Sequence, residues 1–249
     1  MNQYTRVDRC PIDIYVASNM PYEYPYKLVK PEHVSADIVE SAETVIMDSG
    51  IGNQDMTNQK VLDLSDRYDT DFVVGKDYLH EQEDTTESVR KFLELYDAHP
   101  TRATPLIPLQ PEHAEHYKDL RGEYAYLLGG MAFNVDTRTI IDAVEKFRAT
   151  AGMAPYVHLL GVGTNPRLMD YLANNPDMVQ SIDCSTPEQC AINGKIFDVS
   201  LEQVDYQIRT GNGSSDTRAG LARHLAYTLN DAVTMRYENQ NQHQLGAFC

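Results

Sequence analysis

YVHLLGVGTNPRLMDYLANNPDMVQSIDC, residues 156–184, holds two short apolar runs, one handing over to glycines and the other to a carboxylate. Tyr156–Gly161 and Met178–Ile182 are built mostly of β-branched, leucine and aromatic residues, as strands buried on both faces are. The first gives way to Gly161-Val162-Gly163-Thr164, the second to Asp183-Cys184. Working outward, runs of the same kind occur at Ile12–Ser18, Thr44–Ser49, Asp71–Lys76, Thr104–Leu109 and Tyr124–Leu128. Helical stripes lie between them. Asp84-x-x-Glu87 reads as a capping box ahead of Val89, Phe92, Leu93 and Tyr96, which share one face. Ile140, Ile141, Val144 and Phe147 form a second stripe, and Leu221, Leu225, Leu229 and Val233 a third. These stripes read as core.

Such alternation without long linkers predicts a parallel sheet wrapped by helices, and at 249 residues a single (β/α)8 TIM barrel over residues 1–249. The eighth strand falls to Lys195–Val199 or to Tyr206–Arg209. A doubly wound open sheet is the second choice, but no GxGxxG follows the first strand. Gly211 to Ser215 reads as a turn before the last helix rather than a phosphate cradle, and the Gln- and Asn-rich stretch Glu238–Cys249 as a frayed end.

Thirty-seven acidic residues face 21 basic ones, a net charge of −16, with 8 lysines and no tryptophan. An ordinary acidic protein would fit, but the coincidence favours a halophilic one, whose carboxylate surface holds water and counter-ions in molar salt. Contacts to phosphate come from Lys and Arg, so this balance argues against nucleic-acid binding in dilute salt. The four cysteines, Cys10, Cys184, Cys190 and Cys249, make no CxxC pair and read as free thiols in a reducing compartment. With no signal-peptide core and no run near the ~20 apolar residues of a membrane span, a cytoplasmic protein without a membrane partner is expected.

In a (β/α)8 barrel, chemistry gathers where strands end. Those ends read Asp48-Ser49-Gly50, Lys76-Asp77, Gln110, Gly129-Gly130-Met131-Ala132, Gly161-Val162-Gly163-Thr164 and Asp183-Cys184. Each aspartate alone is also an N-cap candidate. Three together at one mouth would repel and resist ionisation, which a fold accepts mainly for function. Carboxylates to take N–H donors, an amide, and bare glycine backbone suit a flat purine base. Lys76, Arg167, Lys195 and Arg218 are the basic residues assigned near such a mouth, each equally readable as a solvated surface charge.

At these strand ends the chain resembles the tRNA-guanine transglycosylases. Val45-Ile46-Met47-Asp48-Ser49-Gly50 is similar to the family's strand ending in DSGG, and Leu127-Leu128-Gly129-Gly130-Met131-Ala132 to its GGLA element. Leu159-Leu160-Gly161-Val162-Gly163-Thr164 resembles LMGVGT, and Pro108-Leu109-Gln110 stands where the family has VQG. Asp183-Cys184-Ser185-Thr186-Pro187, with Asn193-Gly194, is similar to DCVMPTRNARNG. These elements occur in order across residues 44 to about 195.

The resemblance implies a base-exchanging pentosyltransferase. Asp183 matches the nucleophile that attacks C1′, and Asp48 the carboxylate that moves protons and meets the incoming base. Asp77 matches the reader of the guanine edge, and Gln110 and Gly130 the holders of the base carbonyl. Ser49, Gly129, Met131, Gly161 and Gly163 complete the implied binding set. There are departures. Gln189 and Ile192 stand where the family has arginines, no Cys-x-Cys-x-x-Cys…His zinc motif is present in these residues, and an RNA-binding domain after the barrel is not expected. No cofactor is therefore expected. The stripped barrel is most like the short, often virus-encoded branch that inserts a 7-deazaguanine base into DNA, so DNA is the expected nucleic-acid partner. A tRNA enzyme of queuosine or archaeosine type and a catalytically dead binding subunit are the alternatives. A homodimer is left open.

Overall fold

The computed structural model describes residues 7–79, 81–98, 101–110, 124–130, 135–206 and 215–246. Met131, residues 207–209 of the second eighth-strand candidate, and most of the Gly211–Ser215 loop lie outside them. Eight parallel strands close into a barrel in chain order: β1 Asp13–Ala17, β2 Tyr26–Val29, β3 Thr44–Met47, β4 Phe72–Val74, β5 Thr104–Leu109, β6 Ala125–Leu128, β7 Val157–Leu159 and β8 Ser181–Cys184. Asp13 to Val16 of β1 pair with Ser181 to Cys184 of β8 and seal the ring. The helices are α1 Ala36–Val39, α2 Asn58–Tyr68, α3 Gln82–Ala98, α4 Thr137–Ala151, α5 Pro166–Asn174, α6 Thr186–Asn193 and α7 Ser215–Gly246. This is the (β/α)8 barrel that the alternation predicts.

The period of two along each strand divides the core. Tyr15, Leu28, Ile46, Val74, Leu106 and Leu127 form one buried cluster, the filling of the barrel. Their neighbours Ile14, Ile107, Leu109, Tyr126, Leu128 and Ile182 pack outward against Val144 and Phe147 of α4 and Leu225, Leu229 and Val233 of α7. Val29, Val45, Met47 and Val73 do the same against Val61 and Leu62 of α2 and Phe92 of α3. The helical stripes read from the sequence are thus core. Gly75 lets α3 close on β4, since a Cβ there would meet the Phe92 ring at 3.0 Å.

Three expectations are corrected. The eighth strand is neither candidate but β2, reached from β1 through residues 18–25 with no helix between. A parallel crossover usually needs a dozen or more residues. Here Ser18 N–H donates to Leu28 O at 2.8 Å and Thr44 N–H to Pro25 O at 2.9 Å, fixing both ends of the strand. Lys27 hides β2 from a hydropathy reading. Its buried ammonium donates to Met20 O (3.2 Å) and Ser41 Oγ (2.6 Å) and lies 4.4 Å from the Tyr22 ring centre. Burial draws its pKa down to about 8, against the pull of Glu188.

Lys195–Phe197 instead pairs antiparallel with Gln203–Asp205, forming a separate hairpin of β9 and β10. The reversal follows from Asp198, whose Oδ1 accepts from Ser200 N–H (2.8 Å) and Oγ–H (2.6 Å), and from Leu201 at φ 69°. The strand placed at Met178–Ile182 begins three residues later, because Pro176–Met178 forms a 3₁₀ turn. α3 starts at Gln82, so Asp84 lies in its first turn and is not its cap. α7 runs from Ser215 through Glu238 to Gly246.

Candidate active site

Asp48 follows β3 directly, and its N–H donates to Val29 O of β2 at 2.9 Å. Ser49 N–H turns back to Asp48 Oδ1 at 2.8 Å, while Ser49 Oγ donates to Asp77 Oδ1 at 2.6 Å. Asp77 Oδ2 accepts from Gln110 Nε2 at 3.3 Å, and Gln110 is itself held by its N–H on Gln82 Oε1 at 2.7 Å. Gly129, at the end of β6, lies over this pair: a Cβ there would sit 3.6 Å from Gln110 Nε2 and 3.7 Å from Asp77 Oδ2. The ends of β3, β4 and β5 therefore meet in one hydrogen-bonded group with the end of β6 against it, and Asp48, Ser49, Asp77, Gln110 and Gly129 are buried. Gly130 takes φ 71°, a left-handed turn that a side chain would strain.

Asp183 lies in β8, one residue from its end, and points into the barrel. Its Oδ1 accepts from Gly161 N–H at 2.6 Å and faces His158 Nε2 at 3.2 Å. His158, fully buried on β7, has Nδ1 2.8 Å from Ser181 Oγ, which accepts from Tyr156 O–H at 2.7 Å. Asp183 Oδ2 has no hydrogen bond among the described residues. Asp77 and Asp183 are both near enough to Asp48 for their charges to act on it.

Burial first, then the Asp77 and Asp183 charges, push the Asp48 carboxyl up to about 7, against the Ser49 amide and Lys30. Burial also raises Asp77, with the Ser49 hydroxyl, its own backbone and Gln110 opposing. At neutral pH Asp48 is thus near half protonation, the condition in which one group can both give and take a proton. Beside Asp77 opens a cavity of about 540 Å³ whose walls include Ile51, Gly52, Tyr78 and Leu79, a volume within the range of small-molecule sites.

Asp48, Ser49, Asp77, Gln110 and Gly129 come together as the strand-end reading expects, as do Asp183 and Gly161. Gly163 stands apart, exposed with open space where a side chain would be. Of the basic residues assigned to the mouth, Lys76 lines the cavity beside Asp77 and its charge acts on that carboxyl, but its ammonium is already engaged. Its Nζ donates to Asn53 O at 2.8 Å and to Met56 O. Lys195 begins the hairpin, and Arg167 and Arg218 are exposed on helices. Cys184 and Cys190 are buried free thiols, and burial raises Cys184 to about 11.

Two residues escape the sequence reading. Lys30 continues β2 by one position, opposite Asp48 in a register that pairs Val29 with Met47. Overlooking β2 meant overlooking its end. His158 was hidden inside an apolar run; its odd place there, alternating with Val157 and Leu159, is the signal that it faces the barrel interior. No protein-family model matches the chain, and no curated protein matches it in sequence.

Proposed function

We propose that this protein is a base-exchanging transglycosylase that replaces guanine with a 7-deazaguanine base in DNA through a covalent Asp183–sugar intermediate. The observation that carries the reading is the pairing of Asp183, whose Oδ1 is held while its Oδ2 has no hydrogen bond among the described residues, with Asp48, a buried carboxyl poised near neutrality. A carboxylate serves as nucleophile at C1′ because the transition state there is oxocarbenium-like. Asp183 Oδ2 bonds to C1′ as the C1′–N bond breaks, and the departing base keeps the electron pair and takes the Asp48 proton. An incoming base returns its proton to Asp48 and displaces the carboxylate. Asp77, Gln110 and the bare backbone of Gly129 supply the complementary acceptors and donors for a purine edge. The target base must leave its stack to reach Asp183, at a cost of a few kcal/mol in duplex.

DNA is favoured because Gln189 and Ile192 cannot replace arginine contacts to a folded RNA. Ile192 is exposed, as a side chain without a partner in the protein would be. Lys30, beside Asp48, is the cation best placed for a nearby phosphate. The acidic surface fits a halophilic setting, in which screening reduces repulsion from the phosphates. The test incubates the protein in molar KCl with labelled guanine or 7-deazaguanine and duplex DNA, single-stranded DNA or bulk tRNA. Incorporation into DNA is the expected result. Label in tRNA alone would reassign the substrate, and label in none would remove the activity.

A further inference from the structure

The transglycosylase reading leaves His158 without a task, yet it is buried in the barrel and bonded at both ring nitrogens. Direction can be read along the chain of hydroxyls. Ser181 Oγ accepts from Tyr156 O–H, which leaves its own proton for His158 Nδ1. With Nδ1 accepting, the proton of the neutral ring sits on Nε2 and points at Asp183 Oδ1. Oδ1 thus receives two donors, Nε2–H and Gly161 N–H, while Oδ2 receives none among the described residues.

The two oxygens then have different fates in the covalent cycle. When Oδ2 bonds to C1′, Oδ1 becomes the carbonyl oxygen of an ester. When the incoming base takes C1′, the C1′–Oδ2 bond breaks and its electron pair returns to the carboxylate, restoring negative charge on Oδ1. Hydrogen bonds to an anion are stronger than those to a carbonyl, so both donors favour release over retention. The same donors temper the attack. We propose that His158 Nε2–H and Gly161 N–H form a two-donor cradle on Asp183 Oδ1 that keeps the sugar ester reversible, with His158 a positioning residue that sets how fast the ester is released. The proposal rests on the transglycosylase reading and goes beyond it in assigning the release step to particular atoms.

The experiment separates the two. End-labelled duplex DNA and bulk tRNA are incubated in molar KCl without free base, the denaturation-stable protein adduct is quantified on a gel, and guanine is added to time its release. His158→Phe fills the space without a donor, and its adduct is expected to be released about ten- to a hundred-fold more slowly, the worth of one hydrogen bond to a charged group. His158→Gln, which keeps an N–H, is expected to recover most of that loss. Ser181→Ala leaves His158 in place but frees its tautomer, and should fall between. It also serves should His158→Phe fail to fold. Release at the wild-type rate in folded His158→Phe and in Ser181→Ala overturns the cradle. So does a His158→Gln as slow as His158→Phe, which would reduce the residue to packing. No adduct from the wild type on either nucleic acid overturns the transglycosylase reading, and the cradle with it.

Discussion

Asp48 and Asp183 lie in one mouth but in different surroundings. Asp183 accepts two hydrogen bonds on one oxygen, while Asp48 accepts one and feels two neighbouring carboxylates. Asp183→Ala is expected to abolish exchange of labelled guanine, because the proposed mechanism holds the sugar on Asp183 Oδ2. Asp48→Asn should still bind nucleic acid, measured by retention on a filter, while exchange falls by about a hundred-fold or more, the usual worth of a general acid–base group. The same substitution makes a stability prediction of definite sign. The folded Asp48 carboxyl titrates at about 7, above its ordinary 3.8, so its burial is harmless below about pH 4 and increasingly costly as pH rises through 7. At roughly 1.4 kcal/mol per pH unit, Asp48→Asn removes a penalty of up to about 4 kcal/mol at pH 8 and little at pH 4. Urea unfolding of both proteins at the two pH values checks this, and an equal effect at both would sink it. Asp48, Asp77 and Asp183 were legible in the sequence because a carboxylate after an apolar run is a visible event. Lys30 and His158 were not, since a strand containing a buried lysine and a histidine inside a strand are both invisible to hydropathy.

At the scale of elements, the end of β4 lies against α3 at a single glycine. Gly75 follows β4 and faces Phe92 of α3, which is buried in the outer core. Gly75→Val is expected to destabilise the fold by roughly 1–3 kcal/mol through overpacking, read as a lower urea midpoint. Gly75→Ala should cost less, and Phe92→Leu placed beside it should return part of the loss. Additive effects in that double variant would mean that the two residues are not in contact. The periodicities that decide helices were plain in the sequence, because each stripe repeats over several turns: Val89, Phe92, Leu93 and Tyr96 form such a face, and the structure packs Phe92, Leu93 and Tyr96 into one core cluster and Val89 into the neighbouring one, with Leu93 touching both. β2 was not plain. Four residues, one of them lysine, leave no periodic record, and what makes them a strand is the ring of neighbours that pairs with them. The hairpin of β9 and β10 was mistaken for a barrel strand for the converse reason: local apolar character is present, but the Asp198 turn folds it back on its own neighbour.

For the whole molecule, charge and closure matter most. The ion pairs Lys91–Glu87, Arg102–Asp69 and Arg138–Asp142 lie on the surface, where each contributes little, and they leave most of the net charge of −16 unbalanced. Screening shortens the reach of that self-repulsion to about 3 Å at 1 M salt, so the melting temperature is expected to rise between low and molar KCl. A flat or falling curve would reject the halophilic reading. Among the described residues, no helix is long and apolar enough to cross a membrane. Closure is less local than the alternation of strands suggests. The first crossover has no helix of its own, so Val16, Tyr22 and Tyr24 are covered by Ala222, Ala226 and Tyr227 of α7, with Asn230 Nδ2 donating to Tyr24 OH at 3.0 Å. A ribosome delivers β1 and β2 early and their cover some two hundred residues later. For most of its synthesis the chain therefore carries an uncovered tyrosine-rich flank. Nascent chains stalled before residue 215 are expected to be cut by protease around residues 18–25, while chains released whole resist. The order of translation, more than the stability of any single strand, decides when this barrel becomes safe from aggregation.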